Sequence, residues 1–263
     1  MKFHEQLIQA IEKNKSLLCV GLDPDITRIP WEKDGVVSFL QNIIDETHDL
    51  VCAYKPQIAY FASYGWESDL IEVIEYIHTN YPLVPVILDA KRGDIGSTAE
   101  QYAKEIFERY QADAITVNPY MWGDTITPYL QYKEKWAFVL CKTSNAWSGD
   151  FEDLELTNGQ KLYEEVASRA SLDWNTDGQI SLVVGATYPA EIARVREIVG
   201  DDMFFLIPGI GAQWGDIEAT VKAAKNSSWH GMIINSARAI LYPKSWTSRE
   251  EAVRTRDSIN QYR

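Results

Sequence analysis

The 263-residue sequence has few cysteines, few histidines and a shortage of positive charge. Its three cysteines, Cys19, Cys52 and Cys141, lie far apart inside apolar stretches, which argues against a disulfide framework or a zinc site. The four histidines avoid the ends of the apolar runs, so a histidine-based triad or metal centre is not expected. Lys and Arg number 25 against 38 Asp and Glu, and the resulting charge of −13 argues against nucleic-acid binding.

Long hydrophobic runs are also absent. No apolar run approaches the roughly 18 residues that a transmembrane helix needs. The segment MKFHEQLIQAIEKNKSLL lacks the unbroken apolar core of a signal peptide and predicts an amphipathic helix. Hydrophobic residues still make up 46% of the chain, which is enough for a full core. These features predict a cytoplasmic globular protein without a membrane partner.

Short apolar runs alternate with segments of helical spacing along the whole chain. Continuous apolar runs of this length are typical of parallel strands that are buried on both faces. Among the helical segments, Pro189 is placed for a first turn, and Ser97 with Glu100 fits a capping box. The eight apolar runs cover residues 17–24, 50–61, 84–92, 113–121, 136–144, 180–187, 203–210 and 231–240.

This alternation predicts an α/β fold, a single (β/α)8 TIM barrel with an extra N-terminal helix, spanning residues 1–263 as one domain. No internal repeat and no linker rich in Gly, Pro or Ser divides the chain. A doubly wound open sheet is the alternative, but no G-x-G-x-x-G follows the first predicted strand.

Polar side chains cluster where the predicted strands end. In a β/α barrel these carboxyl ends meet at one face, where active sites lie. The cluster consists of Asp23, Lys55, Gln57, Asp89, Lys91, Asn118, Thr143, Ser144, Gln213, Asn235, Ser236 and Arg238.

The densest group lies in LDAKRGDIGSTAEQY, residues 88–102. Because side chains alternate along a strand, Asp89 and Lys91 are expected on one side, in the barrel mouth. Lys55 on the neighbouring strand reaches the same mouth, and Asp94 follows in the loop. Opposite charges so placed keep each other ionised. A structural ion-pair network is the simple alternative, but gathering four costly charges in one mouth favours a functional role.

Two loops near the end of the chain predict a phosphate site. PGIGAQ at 208–213 and NSARAI at 235–240 follow the seventh and eighth predicted strands, where many barrels bind phosphate. Gly209 and Gly211 let backbone N–H groups converge on an anion, and Arg238 offers a bidentate fork.

The D-x-K-x-x-D-I pattern of Asp89, Lys91, Asp94 and Ile95, combined with these phosphate loops, resembles the orotidine 5′-phosphate decarboxylase family, group II (bacterial) branch. The resemblance extends over GLDPD at 21–25, YKPQIAYF at 54–61, VNPYMWGD at 117–124 and KTSN at 142–145. It implies decarboxylation of orotidine 5′-monophosphate to uridine 5′-monophosphate in pyrimidine biosynthesis, without a cofactor or a metal.

The resemblance also implies residue roles. Lys91 is the proton donor to C6 of the pyrimidine, Asp89 lies against the departing carboxylate, and Lys55 bridges the charge network and the ribose. Asp94, with Ile95 and Thr98, reaches into the partner's site of a homodimer. Ala237 stands where a second serine is expected and is assigned a backbone contact only. The remaining implied substrate contacts are Asp23, Asn118, Ser144, Pro208, Gly209, Gly211, Gln213, Ser236 and Arg238.

Three other functions fit parts of the pattern. A Schiff-base aldolase also uses a barrel lysine, but it needs a neutral amine, and Lys91 stands between two carboxylates. A magnesium-dependent relative such as hexulose-phosphate synthase shares the Asp-x-Lys-x-x-Asp pattern, but it uses an acidic residue where this chain has Lys55. A nucleotide-binding barrel without activity has no need to retain all four charges.

Overall fold

The computed structural model describes residues 1–29, 35–210 and 216–263. Within these ranges, eight parallel strands form one sheet in the order β2-β1-β8-β7-β6-β5-β4-β3. The strands are β1 Leu18–Leu22, β2 Ala53–Pro56, β3 Ile87–Arg92, β4 Ala114–Val117, β5 Trp136–Lys142, β6 Ile180–Val184, β7 Phe205–Ile207 and β8 Met232–Ser236. At the ends of this order, β2 and β3 meet through two isolated parallel bridges, Tyr54 with Val86 and Gln57 with Asp89. The sheet therefore curves into a nearly closed barrel, and the predicted fold is confirmed.

Helices fill the connections between the strands. Two of them, α5 and α8, run on into π-helical turns over Glu105–Arg109 and Ala170–Trp174. The helices are α1 Phe3–Asn14, α2 Gly35–Thr47, α3 Ala59–Ala62, α4 Glu67–Asn80, α5 Gly96–Lys104, α6 Gly123–Leu130, α7 Gly149–Glu152, α8 Leu162–Arg169, α9 Pro189–Val199, α10 Ile217–Ala224, α11 Arg238–Leu241 and α12 Ser248–Asn260. Among the described helices, none combines the length and the hydropathy that crossing a membrane requires.

The apolar runs become strands because the barrel buries both of their faces. Every residue of β1, β2, β4, β6 and β8 is buried. The predicted N-terminal helix is present as α1, and its Phe3 packs against Trp136 and Phe138 of β5. Since Trp136 is the first residue of β5, α1 covers the amino-terminal end of the barrel and leaves the carboxyl-terminal mouth open.

The two predicted helix starts have different outcomes. Pro189 is the first residue of α9, as predicted. The capping box of Ser97 with Glu100 is wrong, because α5 already begins at Gly96, ahead of Ser97, with Ile95 in the cap position. Gly96 has a positive φ of 53°, which glycine adopts without strain, so the chain turns into the helix before it reaches Ser97.

Candidate active site

The barrel mouth contains a carboxylate held between two ammonium groups. Asp89 on β3 accepts from Lys55 Nζ at 3.0 Å through Oδ2 and from Lys91 Nζ at 2.6 Å through Oδ1. The Lys55 side chain is only 5% exposed and that of Asp89 13%, whereas Lys91 is 47% exposed. Lys55 therefore forms the floor of the group, and Lys91 is the cation that a bound molecule can reach.

Burial and charge act in opposite directions on this group. Burial alone would raise the pKa of Asp89, but Lys55 and Lys91 outweigh it and hold that pKa far below its usual range. Burial alone would lower the pKa of Lys55, but the carboxylates of Asp89 and Asp23 outweigh it and raise that pKa. At neutral pH the floor of the mouth is therefore a fixed ion pair of Lys55 with Asp89.

Lys91 reaches the mouth through a bulge in β3. Leu88 pairs with Ile115 and Arg92 with Val117, so three residues of β3 lie opposite the single residue Thr116 of β4. Lys91 has a positive φ of 47°, a left-handed conformation that costs a non-glycine residue about 1 to 3 kcal/mol. Alternation along a regular strand therefore does not place Lys91 beside Asp89; the bulge does.

The residue after Lys91 is anchored on the outside of the barrel. Arg92 donates from Nε to Glu105 Oε2 at 3.0 Å and from Nη2 to Glu105 Oε1 at 2.9 Å. This bidentate pair joins β3 to the first residue of the π-helical turn that continues α5. This contact therefore restrains the strained backbone at Lys91 from the outer side of the barrel.

Asp23, which follows β1, has a carboxylate oxygen that lacks a partner. Its Oδ1 is buried and forms no hydrogen bond with the described residues. Burial raises the pKa of Asp23, although Lys55 opposes the shift. A buried acceptor of this kind is free to receive a hydrogen bond from a bound molecule.

Asp94, Ile95 and Thr98 make no contact with this charged group among the described residues. Asp94 accepts from the backbone N–H of Ile95 at 2.8 Å and forms no ion pair within the described ranges of its own chain. Its charge contributes instead to the raised pKa of Tyr129, for which burial is the larger cause. Ile95 is 51% exposed and Thr98 is also exposed. The structure therefore does not join Asp94 to the Lys91 group within one chain.

The segment after β5 carries Ser144 and is fixed by Lys142, whose side chain is completely buried. Lys142 Nζ lies 3.0 Å from Asp153 Oδ2 and 3.6 Å from Glu152 Oε2. Glu152 in turn accepts from the backbone N–H of Thr143 at 2.9 Å and from its hydroxyl at 2.6 Å.

Gly185, which directly follows β6, lets the Ser144 backbone approach closely. A Cβ at this position would lie 2.6 Å from Ser144 Cα, so only glycine fits without a shift of the backbone. Ser144 is therefore restrained on two sides. Lys142 and Thr143 both contact Glu152 on one side, and Gly185 packs against Ser144 on the other.

The two predicted phosphate loops lie after neighbouring strands. Pro208 and Gly209 follow β7, and Gly209 has φ 105°, a conformation that favours glycine. Ser236 is the buried last residue of β8, and Ala237 lies between it and α11. Arg238 is exposed and forms no ion pair within residues 1–29, 35–210 and 216–263. Gly211 and Gln213 lie outside the described residues.

Asn118, directly after β4, lies close to the charged group. It lines a cavity of about 180 Å³ together with Lys91, Gly93, Tyr120 and Met121. The backbone N–H of Asn118 donates to the carbonyl of Arg92 at 2.8 Å, so the ends of β3 and β4 are joined beside Lys91.

Two residues of the site were not found from the sequence. Thr116 and Lys142 both lie inside apolar runs, where a lone polar residue gives no signal of its partners. Both are buried, and each becomes recognisable only through contacts with other strands or loops. No group of three or more His, Cys, Asp or Glu residues suited to a metal ion occurs within the described part of the chain.

Comparison with known proteins identifies the family of this chain. The family model described as orotidine 5′-phosphate decarboxylase / HUMPS family matches residues 16–252. The orotidine 5′-phosphate decarboxylases of Ralstonia pickettii (strain 12J) and Dechloromonas aromatica (strain RCB) are 59% and 56% identical, each aligned over 100% of both chains. The structure of Leishmania donovani OMP decarboxylase superposes with a TM-score of 0.89 at 39% identity, covering 100% of this chain and 99% of that one. The chain therefore belongs to the orotidine 5′-phosphate decarboxylase / HUMPS family.

Proposed function

We propose that this protein converts orotidine 5′-monophosphate to uridine 5′-monophosphate and CO2, with Lys91 as the proton donor. The observation that carries the proposal is the position of Asp89 between a buried Lys55 and an accessible Lys91. The names of the curated relatives support the same reaction.

The reaction breaks the bond between C6 of the pyrimidine and its carboxylate carbon. The electron pair stays on C6, CO2 leaves, and no ring carbonyl is placed to delocalise the negative charge. An ammonium group beside C6 stabilises this charge and supplies the proton that forms the new C–H bond. Lys91 is left as a neutral amine, which regains a proton from solvent, so the overall reaction consumes one proton.

Asp89 acts on the ground state of this reaction. Its carboxylate is held ionised beside Lys91, so a substrate carboxylate bound there meets a like charge. Two unit charges about 4 Å apart at an effective dielectric of about 20 repel by about 4 kcal/mol, and the loss of CO2 relieves that repulsion. Binding of the ribose at Asp23 and of the phosphate near Gly209 and Arg238 offsets the repulsion.

The metal-dependent alternative is disfavoured by the charge at β2. Lys55 Nζ lies 3.0 Å from Asp89, so its ammonium occupies the place beside this carboxylate where a divalent cation would bind. A fixed positive charge there repels Mg²⁺. The Schiff-base alternative needs a lysine nitrogen that is free to attack a carbonyl, whereas Lys91 Nζ donates a hydrogen bond of 2.6 Å to Asp89.

The active protein is, in this proposal, a homodimer with shared sites. Asp94 lies in a loop next to the mouth and forms no ion pair within the described part of its own chain. Large apolar side chains are exposed in the same loop and after β4, at Ile95, Tyr120 and Met121. A second copy that covers these side chains would bring its Asp94, Ile95 and Thr98 to the neighbouring mouth.

An ultraviolet assay with orotidine 5′-monophosphate tests the reaction. The purified protein should remove the substrate's absorbance, and Lys91→Ala should lower turnover by at least about a thousandfold while the fold persists. Exhaustive chelation should leave the activity unchanged. A folded protein that consumes no substrate refutes the reaction. Inhibition by a chelator that added Mg²⁺ reverses points to the metal-dependent alternative instead.

A mixed-dimer experiment tests the shared site separately. Lys91→Ala and Asp94→Asn should each be nearly inactive alone. When they are unfolded and refolded together, about half of the dimers should be mixed, and one site of each mixed dimer should collect neither change. About a quarter of wild-type activity should therefore return. If mass spectrometry shows mixed dimers and no activity returns, Asp94 acts within its own chain.

A further inference from the structure

Thr116 of β4 lies opposite the bulge in β3 and uses its whole hydrogen-bonding capacity on that bulge. Its hydroxyl oxygen accepts from the backbone N–H of Ala90 at 3.1 Å and from that of Lys91 at 3.0 Å. The hydroxyl donates to Asp89 Oδ1 at 2.9 Å. A hydroxyl has one donor and two acceptor sites, so none is left over.

These three contacts act on the two features that the proposed reaction needs. The first is the left-handed backbone of Lys91, whose φ of 47° is maintained only by surrounding contacts. The second is the orientation of Asp89, whose Oδ1 receives both the Thr116 hydroxyl and Lys91 Nζ. Thr116 is 1% exposed and stands next to the reacting group without being open to solvent.

We infer that Thr116 is the positioning residue that sets Asp89 and Lys91 in their reactive arrangement. This inference rests on the proposed decarboxylation. Thr116 acts through the two charged residues and not through contact with the substrate. Its hydroxyl therefore contributes to the chemical step more than to substrate binding, since the phosphate and ribose contacts lie elsewhere in the mouth.

The valine and serine variants separate the hydroxyl from the packing of the side chain. Thr116→Val keeps the shape and removes all three hydrogen bonds, whereas Thr116→Ser keeps the hydroxyl and loses a methyl group. Thr116→Val should lower kcat by about ten- to a hundredfold, which corresponds to about 1.4 to 2.7 kcal/mol at 1.36 kcal/mol per tenfold. KM should stay within about threefold of the wild-type value, and Thr116→Ser should keep kcat within about fivefold.

Thr125 of α6 offers a matched control for a buried threonine. It is fully buried, and its hydroxyl has no hydrogen-bond partner among the described residues. Thr125→Val should leave kcat and KM unchanged. An equal loss of kcat in this control would show a general response to the substitution and overturn the inference.

Results with the Thr116 variants themselves can also contradict the inference. The inference is wrong if Thr116→Val keeps kcat within about threefold, if its KM rises as steeply as its kcat falls, or if Thr116→Ser loses as much as the valine variant. If Thr116→Val does not fold, Thr116→Ala replaces it, with the same expectations for kcat and KM. A wild-type protein without turnover refutes the proposed function itself, which distinguishes that failure from a failure of the Thr116 inference.

Discussion

Removal of the Lys55 ammonium should destabilise the folded protein through the charge that it leaves behind. In Lys55→Met, the long apolar side chain keeps most of the packing, but Asp89 and Asp23 lose their buried partner. Lys55 Nζ and Asp89 Oδ2 lie 3.0 Å apart, a distance at which unit charges attract by about 5.5 kcal/mol at an effective dielectric of about 20. Desolvation of both groups cancels much of that attraction, so the pair itself adds little net stability.

The expected loss of stability in Lys55→Met depends on which partners Asp89 keeps after the substitution. Removing one partner of a buried ion pair costs about 3 to 5 kcal/mol in the free energy of unfolding. Asp89 still has Lys91 and the Thr116 hydroxyl, so we expect the lower end, about 3 kcal/mol. The double variant Lys55→Met/Asp89→Asn removes both charges and should recover more than half of the loss.

Urea unfolding followed by tryptophan fluorescence, without ligand, measures these differences. Lys222→Met is the matched control, because Lys222 pairs with Glu218 on the exposed surface and its loss should not change stability measurably. A Lys55→Met variant within about 1 kcal/mol of the wild type would refute the reasoning. A double variant as unstable as the sum of the two single variants would do the same.

The difference in unfolding free energy between wild type and Lys55→Met should also depend on pH. The folded pKa of Asp89 lies below its unfolded value of about 3.9, so its contribution is present above that pH and lost as pH falls through the folded pKa. The folded pKa of Lys55 lies above its unfolded value of about 10.4, so its contribution is present below that pH and lost as pH rises through the folded pKa. The difference between wild type and Lys55→Met should be flat from about pH 5 to 9 and shrink below about pH 4.

Three further predictions follow from other parts of the structure. Arg238→Met should raise KM for orotidine 5′-monophosphate about ten- to a hundredfold with a smaller change in kcat. The substitution removes a cation that has no ion pair in the described ranges and is therefore free to bind the substrate's phosphate. An unchanged KM in steady-state assays would contradict the phosphate role. Lys142→Met should release the segment that carries Ser144 and increase the cleavage of this segment in limited proteolysis. Cleavage at the wild-type rate would show that Lys142 does not fix the segment. Arg196→Leu should lower the free energy of unfolding by at least about 3 kcal/mol, since its partly buried guanidinium donates to four backbone carbonyls. Thermal unfolding at the wild-type temperature would contradict this prediction.

The sequence by itself determined the order of the elements and the residue types of the mouth. Eight apolar runs predicted the strands because burial on both faces of a parallel strand requires continuous apolar residues. The spacing of Asp89 and Lys91 at the end of the third run predicted charges at the carboxyl-terminal face, because all parallel strands end at the same face. These are local signals, and they are readable without knowledge of which segments touch.

The tertiary structure decided how those charges are held. Asp89 and Lys91 do meet, but through a bulge that depends on Thr116 of the next strand and not through the regular alternation that the sequence suggests. Lys142 finds its acidic partners only after the segment beyond β5 folds back over the strand. Both outcomes rest on hydrogen bonds and ion pairs between residues that are separated in the chain. A one-dimensional pattern records the composition of such contacts but not their geometry, because that geometry exists only once the barrel has closed.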